Sequence, residues 1–148
     1  MTPWEVAGLV ALGLIVVSVI AAGVRVRVFM GGVRRVRAAH PDELVIATGL
    51  TEAGDWSAAQ RVPVIAVVAG PDGLSFRDGA DREVLQVAAA DILSLELAPL
   101  NPRSRARPVR VERLSGGPVA FLAGSTPDQQ LDSVIALRTA LGRSEPRA

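Results

Sequence analysis

His40 is the one imidazole in a chain that contains no Cys and no Lys. The side chains able to move protons or attack electrophiles near neutral pH therefore reduce to a single ring. It stands directly before Pro41, and spacing alone supplies it with no carboxylate or hydroxyl partner, which assigns it to the surface. Without sulfur there are no disulfides, no thiolate chemistry and no Cys-ligated zinc or iron–sulfur centre. Asp78 and Asp81 flank Gly79 as in the opening of a calcium loop, but the twelve-residue ligand pattern does not follow, and turn stabilisation accounts for them. Gly116-Gly117 and Gly70-Pro71-Asp72-Gly73 lack the Lys and the following helix of a phosphate loop. No catalytic residue, metal ligand or cofactor is expected, and the chain reads as a protein that is not an enzyme.

Arginine is the chemistry that remains. All 16 basic residues are Arg, against 15 acids, so the net charge of +1 is uninformative while the distribution is not. Arg25, Arg27, Arg34, Arg35 and Arg37 crowd into one short stretch, and residues 38–148 are slightly acidic. A second group, Arg103, Arg105 and Arg107, lies in the proline-rich loop 99–108 and continues into Arg110 and Arg113. These five are the candidate partner-binding residues; the competing view is a solvated loop whose charges keep a sheet edge from pairing. With aromatics at 3% and no Tyr, stacking platforms are missing and nucleic acid is not an expected partner.

The elements that must position these charges begin with Val6 to Val24, a run of uncharged residues whose only polar side chain is Ser18. At about 1.5 Å of rise per residue it spans about 28 Å, close to the roughly 30 Å hydrocarbon core of a bilayer. Trp4 suits the headgroup layer, and Pro3 suits a first helical turn. Glu5 precedes the run and five Arg follow it, which predicts an uncleaved anchor with its amino terminus outside and the remainder in the cytoplasm. A cleaved signal, with Val19-Ile20-Ala21 as its processing site, is the alternative. Ala7, Ala11, Ser18 and Ala22 share a helix face and offer a weak route to homodimerisation.

Beyond the anchor (1–24), residues 25–41 read as an Arg-rich juxtamembrane linker, held near anionic lipid headgroups or simply setting topology. Residues 42–142 alternate with period two between turn signals, giving strands at 44–50, 62–68, 74–77, 84–88, 92–97, 109–113 and 119–122. Residues 51–61 form a polar connection. Thr126, Pro127, Asp128 and Gln129 announce a helix with a capping box, whose apolar face is Leu131, Val134, Ile135, Leu137 and Leu141 and whose stop is Gly142. Residues 143–148 read as a disordered tail.

Seven short antiparallel strands followed by one amphipathic helix resemble the pleckstrin-homology-like fold, carried here by VPVIAVVAGPDGLSFRD, DILSLELAP and TPDQQLDSVIALRTAL. The whole chain looks like the small actinobacterial single-pass membrane proteins that carry such a domain. The resemblance implies a mainly-β bent sandwich or partly open barrel closed by the last helix. The inositol-phosphate site of such domains does not transfer, because the connection 51–61 sets Glu52 and Asp55 against Arg61 alone. The expected role is a cytoplasm-facing interaction or scaffolding module binding a protein partner or a membrane surface, through the loop Arg103 to Arg107 or by strand addition at a sheet edge near the sixth strand. The alternative is an accessory subunit of a membrane transport or cell-envelope complex, engaged through the transmembrane helix.

Overall fold

The computed structural model describes residues 2–53, 63–99 and 107–142. Its first element, α1, is one unbroken helix over Pro3–Ala39. Thr2 caps it: its hydroxyl accepts from the Glu5 amide while the Glu5 carboxylate accepts from the Thr2 amide, which makes a capping box. The stretch expected as a linker is thus helical as far as Ala39. Gly31 and Gly32 lower helix propensity by about 1 kcal/mol each, but no proline interrupts the chain before Pro41, where the helix has ended.

Among the described residues eight strands follow rather than seven: β1 (Leu44–Ala47), β2 (Gly49–Ala53), β3 (Ala66–Gly70), β4 (Gly73–Arg77), β5 (Glu83–Ala88), β6 (Ile92–Leu97), β7 (Val109–Arg113) and β8 (Val119–Leu122). The extra strand arises because the segment 44–50 breaks at Thr48. Its first half pairs with β3 and its second half with β8. Thr48 sits at the bend with its amide donating to Ile65 O and its hydroxyl to Leu122 O, one bond toward each sheet. The result is two antiparallel four-stranded sheets, ordered β1-β3-β4-β5 and β2-β8-β7-β6, that do not close into a barrel.

The hairpin between β3 and β4 turns at Pro71-Asp72-Gly73 as its chemistry predicts. Gly73 has φ +136°, and a Cβ there would run into the Val87 carbonyl, so only glycine fits.

The inner faces of the sheets enclose the main core, with Phe76 of β4 and Phe121 of β8 meeting edge to face at its centre, ring centroids 5.2 Å apart. The last helix, α2 (Pro127–Ala140), covers it through Val134 and Leu137, with Leu141 just beyond. Its buried face is rotated from the expected one: Gln130 is buried, whereas Leu131 and Ile135 are 52% and 44% exposed. The Gln130 amide donates to Gly124 O, which lets a polar side chain occupy a core-facing position. Thr126 is the cap as expected and accepts from the Gln129 amide, but Gln129 Oε1 accepts from Ser125 and does not close a box.

A second, smaller core explains why every residue of β3 is buried. Val67 and Ala69 face the other sheet, while Ala66 and Val68 join Val45, Ile65, Val33 and Val36 under the last turns of α1. A strand covered on both faces reads as a continuous apolar run, as VPVIAVVAG does.

Candidate functional site: the junction of the long helix and the domain

Gly32, Val33 and Val36 are the buried residues of α1, and they form the whole apolar seat of the helix on the domain. Contact is close because Gly32 has no side chain: a Cβ would lie 2.5 Å from Ile65 Cδ1 and 3.1 Å from Gly79 Cα. Polar bonds tie the same helix end to the β4–β5 turn. Arg35 Nη1 donates to Gly79 O at 2.8 Å, and His40 Nε2 stands 3.0 Å from Asp81 Oδ1. His40 Nδ1 stands 3.2 Å from Glu43 Oε1.

His40 is therefore half-buried and doubly partnered rather than free on the surface. The continuous helix delivers it to a turn 41 residues later in the chain, a pairing that local spacing does not reveal. Ionised carboxylates only accept, so both contacts are hydrogen bonds when the ring carries two protons. Neither ring nitrogen is then left for a substrate.

The turn that receives the helix is itself well built. Asp78 Oδ1 accepts from the amides of Ala80 and Arg82, and Asp81 is held at φ +60° with its carbonyl accepting from Arg77. The Arg82 amide is the main reason why the Asp78 carboxyl titrates below the ordinary aspartate value; the Ala80 amide and the Arg82 charge act in the same direction. A lowered folded-state value means stabilisation that is full above the unfolded value and lost as pH falls through the folded one. Thermal melts should show the domain weakening slightly in that acidic window, and Asp78→Asn should flatten this component. An identical acid profile in the variant would remove Asp78 as its source.

The Arg residues singled out by sequence separate into three groups. Arg25, Arg27, Arg34 and Arg37 are exposed along α1, and Arg35 is exposed but bonded to Gly79. Arg103 and Arg105 lie outside the described residues. Arg107 Nε donates to Ala98 O, Arg113 Nε donates to Gly117 O, and Arg110 pairs with Glu112 at 2.6 Å, which raises the Arg110 pKa. These three are thus engaged in holding their own strand and its neighbours. Arg110 and Arg113 lie on β7 and Arg107 just before it; β7 lies between β8 and β6, so both its edges are hydrogen-bonded and strand addition is not available there. The free side of β6 is partly closed as well, because Arg138 donates twice to Leu95 O.

Beside the junction lies an open cleft of about 460 Å³, lined by Phe29 of α1, by Ala47, Thr48 and Gly49 at the β1–β2 bend, and by Leu122, Gly124, Ser125 and Gln129. Sequence reasoning missed it because its walls are brought together only by the helical continuation of α1 past Val24. Toward the amino terminus, α1 is long and apolar enough to cross a membrane: its most apolar 18-residue window has a mean hydropathy of 2.6, and none of it is buried against the rest of the chain. No protein-family model matches the sequence, and no curated protein matches it.

Proposed function

We propose that the chain is a single-pass membrane protein in which Val6 to Val24 spans the bilayer and a pleckstrin-homology-like domain faces the cytoplasm as a non-catalytic interaction module. The observation that carries this is the unbroken α1, whose apolar half is left bare while its other half is locked onto the domain by Gly32, Val33, Val36, Arg35 and His40. A bare apolar helix of that length needs hydrocarbon around it. The rigid junction sets the height and heading of the domain, and confinement at a surface raises the effective concentration of any partner in the same membrane. The five Arg at 25–37 support a cytoplasmic position for this side, in line with the excess of basic residues in cytoplasmic flanks.

Because the chain has no Cys, single introduced thiols report its topology directly. In intact expressing cells a membrane-impermeant maleimide should label Thr2→Cys and spare Glu96→Cys until the membrane is permeabilised. The opposite pattern, or extraction of the protein by alkaline carbonate, would overturn the proposal.

One observation favours a second role, as an accessory subunit engaged through the transmembrane helix. At about 100° per residue, Ala7, Ala11, Ser18 and Ala22 fall within about 80° of Val33, on the face that carries the domain. A close symmetric dimer through that stripe would force two domains into one space, so a helix packed there belongs to a different protein.

A further inference from the structure

Building on the membrane-spanning proposal, we infer that the cleft between Phe29 and the β1–β2 bend takes the headgroup of an inner-leaflet phospholipid, specifically one with a single phosphate and an uncharged polyol. Phe29 lies five residues past Val24, about 7.5 Å along the helix, and the headgroup layer extends about 5 to 7.5 Å beyond the hydrocarbon. The cleft wall therefore stands at the lower edge of that layer. The same interval carries exposed Val26, Val28 and Met30, apolar side chains that suit an interfacial setting rather than open water.

Charge is arranged to match. Arg25 precedes Phe29 by four residues, so it sits on the same face one turn nearer the bilayer, and helical side chains lean toward the amino terminus. A guanidinium at that level of the helix suits the phosphate of a lipid beside Phe29. Among the described residues the lining of the cleft below carries no charge. An ethanolamine or serine ammonium, or a second phosphate, would find no opposite charge in that lining, whereas a hydroxyl needs none.

A polyol is well served by the same lining. Phe29 and Leu122 offer apolar surface to its C–H faces, and Ser125 and Gln129 supply polar atoms. Gln129 Oε1 is already occupied by Ser125, which leaves the amide NH₂ to donate.

The test uses the full chain in phosphatidylcholine nanodiscs containing a minor fraction of phosphatidylglycerol, phosphatidylserine or phosphatidylethanolamine, with native mass spectrometry counting the lipids retained. Phosphatidylglycerol should be retained about fivefold over phosphatidylserine, the ratio given by the net worth of one hydrogen bond. Gly49→Leu fills the cleft from a position where a Cβ meets nothing within 4 Å and should abolish the preference, while Arg25→Gln removes a phosphate contact common to all three lipids and should lower the retention of each. Arg27→Gln, about 160° around the helix from Arg25, should leave retention intact. Equal retention of both anionic lipids, or a preference that survives Gly49→Leu, would overturn the inference. Failure to insert into the discs would overturn the membrane-spanning proposal as well, whereas insertion without phosphatidylglycerol retention overturns the inference alone.

Discussion

Phe121→Ala should lower the unfolding free energy of the domain by about 3–5 kcal/mol, the range for removing a large aromatic from a closed core. Phe121 and Phe76 are both fully buried, and they meet at an interplanar angle of 76° with one ring from each sheet. Removing either ring leaves its partner without the edge-to-face contact and opens a void where the sheets face each other. Few large side chains share that space, since the surrounding core is mostly Val with some Leu and Ile. Relaxation around small, stiff residues is limited, which argues for the upper part of the range. Domains of this size have total stabilities of about 5–15 kcal/mol, so the variant should be close to unfolding at physiological temperature. Urea unfolding of the detergent-solubilised full chain measures the change. A loss below about 1 kcal/mol would mean that the two sheets do not depend on this pair.

Gly32→Val should produce the second-largest effect, of a different kind. The new side chain would begin 2.5 Å from Ile65 Cδ1 and 3.1 Å from the Gly79 backbone, so α1 has to move away from the sheet. Overpacking of this sort costs about 1–3 kcal/mol, and it falls on the small core beneath α1 and spares the main one. The domain should therefore stay folded while the junction loosens, weakening the bonds from Arg35 and His40 with it. Spin labels on Arg27→Cys and Glu96→Cys, both exposed sites, should give a narrow distance distribution in the parent and a broad one in Gly32→Val. A narrow distribution in both would show that the seat at Gly32 does not hold the helix.

Much of the β architecture was legible because period-two alternation and turn chemistry are local. The Pro71-Asp72-Gly73 hairpin, the alternation of β6 and β7, and the Thr126 cap all appear near where their residues place them. Less visible were features decided by tertiary contact. The break at Thr48 depends on Ile65 and Leu122, far away in sequence, and turns one expected strand into two in different sheets. The face of α2 is set by which residues meet β1, β3 and β6, so Gln130 goes in and Leu131 stays out although hydrophobicity ranks them the other way. The Val-Arg alternation at 24–28 and the Gly31-Gly32 pair look like the end of a helix, yet packing of Gly32, Val33 and Val36 carries it two further turns and more. That misjudgement concealed both the cleft and the partners of His40. The basic residues are visible in the sequence, but not that Arg35, Arg107, Arg110 and Arg113 are engaged by carbonyls or a carboxylate.

On the proposed membrane-spanning reading, the continuity of α1 makes it a lever, where a swivel would insulate the attached β domain from the lipid. Mismatch between an apolar helix and the local thickness of the membrane is relieved by tilting. Here each degree of tilt would reorient the attached β structure as well, so the composition of the surrounding membrane would be read out as the pose of a protein surface.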